Sequence, residues 1–281
     1  AELPSVEPMT ATPPTLPPEE HDQWVALPQG RLFTRTWQPA AAADAAPILM
    51  LHDSLGCVAL WRDFPALLAQ ATGRRVIAYD RRGFGRSDPR PDLPALGFVA
   101  EEARLVLPAL CEQLGLDAYV ALGHSVGGGM AVCAAAAQPT PCRALVTIAA
   151  QVFAEDRTLE GIRAAREQFK DPQQLERLAK YHGDKADWVL HAWTDTWLSP
   201  RFADWTLVPL LPQVRVPALV IHGEEDEYGT TRHATLIGQG CAGPVQVELL
   251  SGIGHVPQRE DPQRVVGLIA AFLDRHDGAS P

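Results

Sequence analysis

The chain has 281 residues, 46% of them hydrophobic and 21% charged, and 24 Lys+Arg against 34 Asp+Glu give a formal net charge of −10. That is enough apolar material for one large α/β domain or two small ones with a sizeable core. The acidic balance and the absence of a basic cluster argue against nucleic-acid binding and give no reason to expect attraction to anionic membranes.

Residues 1–20 carry prolines at 4, 8, 13, 14, 17 and 18 and no hydrophobic periodicity, which predicts an extended proline-rich arm. Trp24–Leu27 and Arg31–Gln38 alternate as antiparallel edge strands joined near Pro28-Gln29-Gly30. The apolar run Pro47–Leu51 reads as a buried strand ending at His52. A helix over about 61–71 follows, then a strand at Arg75–Tyr79. Val99, Ala103, Val106, Leu110 and Leu114 recur at helical spacing and predict a helix over 97–114. Tyr119–Leu122 and Ala144–Ile148 are further strands, as are Ala218–Ile221 and Val245–Leu250, and Val265–Leu273 is a terminal amphipathic helix. Strands alternating with helices predict an α/β fold, a mostly parallel central sheet flanked by helices on both faces.

The span 151–210 has another texture. Helical pieces at Leu159–Phe169 and Leu175–Tyr181 precede Trp188, Trp193, Trp197 and Trp205, four of the seven tryptophans. It is expected to be a small helical cap inserted into a core domain made of 21–150 and 211–281. Trp188, Trp193 and Trp197 are the candidate walls of an apolar substrate pocket; each taken singly also suits a core staple.

The chemistry concentrates at Gly123-His124-Ser125-Val126-Gly127, a Gly-x-Ser-x-Gly elbow between a strand and a small-residue helix. Such a turn holds its serine in a strained backbone at the top of a sheet, with a helix N-terminus beneath it. A serine hydroxyl needs a base, and the base an orienting acid. His255, in the glycine-rich loop Gly252-Ile253-Gly254 after the strand Val245–Leu250, is the candidate base. Glu224, Glu225, Asp226 and Glu227 compete for the acid, Asp226 being preferred because it lies far enough past its strand to turn back toward His255.

These motifs, with Asp80-Arg81-Arg82-Gly83-Phe84-Gly85-Arg86-Ser87, resemble the α/β-hydrolase superfamily over about residues 24–275. The resemblance implies the α/β-hydrolase fold and selects Asp226 as the acid of a Ser125–His255–Asp226 triad. It gives the Asp80–Ser87 loop a mostly structural role. It also places the oxyanion-hole N–H groups at Ser54 and Val126. Ser54-Leu55-Gly56 is similar to the enol-lactone hydrolase branch. Asp53 stands where many members have glycine, and it is expected to point away from the oxyanion and accept loop N–H groups.

Serine rather than aspartate at 125 favours acyl transfer, so the expected activity is that of a serine esterase on small to medium carboxylic esters through an acyl-enzyme. A lactonase, a thioesterase or a carbon–carbon bond hydrolase are the alternatives within the enzyme class, and a non-catalytic ligand-binding protein the alternative outside it. No cofactor and no metal is called for, since the histidines and acids make no ligand set. The expected partner is a small-molecule ester or lactone, and nothing in the sequence sets an oligomeric state. Cys57, Cys111, Cys133, Cys142 and Cys241 lack C-x-x-C pairing and read as reduced core thiols. No signal peptide or integral membrane segment is apparent, so the default expectation is cytoplasmic; a chain beginning at Ala1 also suits a processed secreted form.

Overall fold

The computed structural model describes residues 16–42, 44–137 and 141–278. Most of the predicted proline-rich arm (1–15) therefore lies outside the described residues. Among the described residues eight strands form one sheet: β1 (Glu19–Leu27), β2 (Gly30–Gln38), β3 (Ile48–Leu51), β4 (Val76–Tyr79), β5 (Tyr119–His124), β6 (Cys142–Ile148), β7 (Ala218–Gly223) and β8 (Val245–Leu250). Their order across the sheet is β1-β2-β4-β3-β5-β6-β7-β8. β1 pairs antiparallel with β2 and β2 with β4; all other pairs are parallel.

The hairpin is longer than its apolar residues suggest. β1 starts at Glu19, paired with Gln38, although Glu19–Gln23 carry no buried side chain. Backbone ladder bonds hold this exposed edge, reinforced by Arg35 Nε donating to Asp22 Oδ1 at 2.7 Å.

The central strands are apolar on both faces because both faces are covered. Alternation sends Leu49 and Leu51 into one core with Ile77, Tyr79, Ala121 and Leu145. Ile48 and Met50 enter the other with Val76, Ala78, Val120 and Val146. α1 (Phe64–Thr72) closes this second face, together with the terminal helix. The first face carries a helical run over 98–114, comprising α2 (Phe98–Glu101), a π turn (Glu102–Val106) and α3 (Leu107–Leu114). The π turn interrupts the expected regular helix for a local reason. Leu107 N–H bonds Glu102 C=O five residues back, and Pro108 next in line has no N–H to give. α4 (Val126–Ala136) runs beneath this layer with every residue buried, which its Gly and Ala content permits.

Between β6 and β7 the chain forms α5 (Asp156–Gln168), α6 (Pro172–His182) and α7 (Ala186–Trp197), then 3-10 turns at Pro200–Phe202 and Val208–Gln213. Phe153 bridges Thr206, and Leu207 N–H bonds Val152 C=O at 2.7 Å, so two short extended segments make the stem of this excursion. α8 (Arg232–Gly240), α9 (Pro257–Glu260) and α10 (Pro262–His276) complete the helices.

Trp197 is 1% exposed, with Phe202 at 4.9 Å and Trp205 at 5.4 Å between ring centroids. It staples α7 to the turns that follow. Trp197→Ala is expected to cost about 3–5 kcal/mol, as for other buried tryptophans. Urea denaturation of the variant checks this; a loss below about 1 kcal/mol would contradict the packing role.

Candidate active site

The ends of β3, β5, β6, β7 and β8 point the same way, so their following loops meet above one edge of the sheet. At the centre, β5 turns into α4 within one residue. Ser125 sits at φ 59°, ψ −122°, a left-handed conformation costly for a residue with a Cβ. The turn closes only because its neighbours are glycines: a Cβ on Gly123 would strike the Gly127 carbonyl, and one on Gly127 the Leu51 carbonyl.

The structure brings Ser125, His255 and Asp226 together. Ser125 Oγ lies 3.0 Å from His255 Nε2, and His255 Nδ1 lies 2.9 Å from both Asp226 carboxylate oxygens. A carboxylate only accepts, so Nδ1 carries the proton and Nε2 is free to accept from the serine hydroxyl. Burial favours the neutral imidazole, but the Asp226 hydrogen bond and charge outweigh it and lift the His255 pKa above 6.5. Burial likewise opposes a charged Asp226. Hydrogen bonds from His222 and His255 overcome this and hold its carboxyl well below the ordinary carboxylate range. Tyr228 N–H adds a bond to Asp226 Oδ1 at 2.8 Å. Among the four acids that competed in sequence, Asp226 is the one that reaches His255.

The loop after β3 is clamped from below. The Asp53 carbonyl accepts from His52 Nδ1 (2.8 Å), Arg81 Nη2 (3.0 Å) and Gly56 N–H (3.2 Å), and Arg81 also donates to the His52 carbonyl. In a trans peptide the N–H points opposite to the C=O, so the Ser54 N–H is turned away from this clamp. Val126 is the first residue of α4, where no earlier turn supplies an acceptor for its N–H.

Asp53 departs from expectation. No described loop N–H donates to its side chain. The turn is closed through its backbone carbonyl instead, and the carboxylate faces His124, with Oδ1 4.0 Å from Nδ1. The Asp80–Ser87 loop does form a hydrogen-bonded turn. Asp80 accepts from Val58 and Arg86 N–H, and Ser87 Oγ donates to the Asp80 carbonyl while accepting from Phe33 N–H.

Three contacts escaped sequence reasoning. Gln151 follows β6, and its Oε1 lies 3.3 Å from Ser125 Oγ, a second acceptor for the single hydroxyl hydrogen. His124 donates Nε2–H to the His255 carbonyl at 2.8 Å, pinning the histidine loop to the elbow. His182, at the end of α6, accepts from Gly85 N–H at 2.9 Å and donates Nε2–H to the Leu55 carbonyl at 2.8 Å. It thereby ties the 151–210 segment to the loop after β3. These partners are 26 to 131 residues apart in the chain, and no local pattern marks them.

A cavity of about 260 Å³ opens beside His124, with Asp53, Trp61, Leu178 and Val256 in its wall. Trp188, Trp193 and Trp197, the expected pocket walls, do not line it. Trp188 lies edge-on to Phe84 and donates Nε1–H to the Asp92 carbonyl, Trp193 packs on Tyr228, and Trp197 is enclosed by aromatic neighbours. The wall is built instead from α6, the loop after β3 and the segment after His255. No group of three or more His, Cys, Asp or Glu among the described residues could hold a metal ion. No helix among them is long and apolar enough to cross a membrane.

Residues 46–262 match the family model described as the alpha/beta hydrolase fold, and the chain belongs to that family. It is similar, at 23% identity over 94% of its length and 99% of the relative, to 2-hydroxy-6-oxononadienedioate/2-hydroxy-6-oxononatrienedioate hydrolase 1 of Dechloromonas aromatica. It shares 27% identity with 2-hydroxymuconate semialdehyde hydrolase of Pseudomonas sp. (strain CF600), over 83% of this chain and 89% of that one. A proline iminopeptidase of Lactobacillus delbrueckii subsp. lactis is 35% identical over 38% of this chain, which spans only 36% of that protein's length. The solved structure of a Mycobacterium smegmatis proline iminopeptidase superposes with a TM-score of 0.71 at 23% identity, covering 91% of this chain and 98% of that one.

Three buried histidines set an acid limit on stability. Burial depresses the pKa of His52, His124 and His182, that of His124 from 6.5 to about 4. The unfolded chain binds these protons first, so the stability they contribute is complete above pH 6.5 and lost as pH falls, for His124 down to about 4. The urea midpoint should fall from pH 7 to pH 5, and less steeply in His124→Gln; equal midpoints at both pH values in the wild type would contradict this.

Proposed function

We propose that this protein is a serine hydrolase that cleaves small to medium carboxylic esters through an acyl-enzyme. The observation that carries the proposal is the hydrogen-bonded chain Ser125 Oγ to His255 Nε2 at 3.0 Å and His255 Nδ1 to Asp226 at 2.9 Å, on a strained elbow. Strain is kept where the surrounding structure enforces it, and here it raises a hydroxyl against a base.

In this reading His255 takes the Ser125 proton as Oγ attacks the ester carbonyl. Ser54 and Val126 N–H groups receive the resulting oxyanion, and the carbonyl clamp by Arg81 keeps the Ser54 N–H turned toward it. The proton on His255 Nε2 then passes to the leaving alcohol. Water activated by the same nitrogen hydrolyses the acyl-enzyme. Asp226 holds the imidazole in the required tautomer and stabilises its cationic form. Gln151 offers the hydroxyl an alternative acceptor in the resting state, and His182 positions the oxyanion loop from α6.

The segment 151–210 acts as a cap in this proposal, with α6 supplying one wall of the cavity. The cavity of about 260 Å³ borders the site through His124, Asp53 and Val256, chain neighbours of Ser125, Ser54 and His255, which do not themselves line it. A second reading, hydrolysis of a carbon–carbon bond flanked by carbonyls, is favoured by the two relatives named for such substrates, which match over most of both chains. It uses the same residues and differs in the leaving group.

Ser125→Ala should reduce ester turnover to below about one thousandth of wild type while leaving the fold intact. Activity should rise with pH through an apparent pKa above 6.5, because His255 works as the neutral base and Asp226 lifts its pKa. Asp226→Asn should lower both the rate and that apparent pKa. Steady-state kinetics on a series of short-chain esters from pH 5 to 9 check these outcomes. Full activity in Ser125→Ala would point to another nucleophile.

A further inference from the structure

Asp53 occupies a position where a carboxylate has no role in oxyanion binding, and its turn is closed through its backbone carbonyl rather than its side chain. Asp53 Oδ1 lies where a Cβ on residue 56 would stand, in the space that Gly56 leaves free. The side chain is one-third exposed, and no described residue donates a hydrogen bond to it. The two cations of the same cavity do not serve it: Arg259 Nη2 donates to the Leu60 carbonyl at 2.9 Å, Arg177 lies exposed, and neither comes within 4.0 Å of Asp53.

The group facing Asp53 is His124, the residue directly before Ser125. Its Nε2 meets the His255 carbonyl at 2.8 Å. A carbonyl only accepts, so the proton of a neutral His124 is on Nε2 and Nδ1 presents a lone pair. Burial favours that neutral form. Asp53 Oδ1 and His124 Nδ1 are then two hydrogen-bond acceptors 4.0 Å apart, and no described residue donates a hydrogen bond to either. Like acceptors so placed repel unless a donor joins them. Leu60, Trp61, Phe169 and Leu178 supply apolar wall around the same cavity. In that wall Trp61 Nε1 and Gln258 Oε1 are also buried without a partner among the described residues.

We propose that Asp53 and His124 form a specificity subsite beside Ser125 that receives a hydrogen-bond donor of the substrate, a hydroxyl or amine substituent on an otherwise apolar chain. An amine's hydrogens join the two acceptors, or a hydroxyl's single hydrogen is donated to the Asp53 carboxylate, and the apolar walls take the carbon skeleton. This rests on the serine-hydrolase reading for its substrate class but not for its geometry, and the two are separable by experiment.

The test compares methyl butyrate with methyl β-hydroxybutyrate and methyl β-aminobutyrate on the acyl side, and ethyl with hydroxyethyl butyrate on the alcohol side. Turnover by the wild type gives the ratio of kcat/KM for each substituted ester to its plain partner. Calorimetric Kd values for Ser125→Ala give the same ratio without catalysis. At least one substituted ester should be preferred by about tenfold, the size expected for a hydrogen bond to a charged acceptor. Asp53→Asn, whose amide can itself donate to His124 Nδ1, and Asp53→Ala should each bring that ratio close to one. Because each variant is judged by a ratio, a general loss of activity does not mimic the effect. The hydroxyl and amine arms identify which donor the site takes. No preference in the wild type, or one that survives both Asp53 variants, would overturn the proposal. A preference seen in binding while no ester is turned over would refute the hydrolase reading alone.

Discussion

The one-residue turn between β5 and α4 is the constraint on which the site depends. Because the chain must reverse there, Ser125 is forced to φ 59°, and Gly123 and Gly127 must let backbone pass within contact distance of backbone. Both cores converge on this point. The alternating side chains of β3, β5 and β6 fix the strand from two faces, and the buried α4 cannot slide without opening its own small-residue packing. The cost of one strained residue, on the order of 1–3 kcal/mol, is small against such over-determination. The geometry of the other loops makes sense only relative to this fixed hydroxyl.

Polar contacts bring those loops to it. His124, part of the elbow, holds the His255 carbonyl; His222 and Tyr228 hold Asp226; Arg81 holds the carbonyls of the loop after β3. His182 extends the same frame to α6, and Arg157 in α5 donates to the Asp226 backbone carbonyl at 2.9 Å. The helices between β6 and β7 are thus bonded to the acid loop and to the loop after β3. Movement of that segment would be felt at both.

Much of this was legible in the sequence, for identifiable reasons. The elbow and the histidine loop are runs of adjacent residues whose spacing encodes backbone turns, so Ser125 and His255 were legible directly, while Asp226, preferred among four neighbouring acids, was selected by the family resemblance. The buried strands were legible because both faces are apolar. The polar half of β1 was not, since its partner is backbone and its side chains remain in solvent. The π turn escaped because a single proline next to it decides the register. Tryptophan composition could not separate pocket wall from core, and Trp197 is core while α6 furnishes the cavity wall. Gln151 and His182 act through contacts with no local signature, and the Asp53 carboxylate, expected to accept loop N–H groups, has no such donor among the described residues.

In the proposed function Ser125 is a nucleophile activated by His255. The most direct measurement is peptide mapping by mass spectrometry of the folded protein after a fluorophosphonate, beside His255→Ala treated alike. A single phosphonyl adduct on Ser125 is expected, forming rapidly in the wild type and far more slowly in the variant. No adduct at Ser125 in folded wild-type protein, or equal labelling rates in the two proteins, would contradict it.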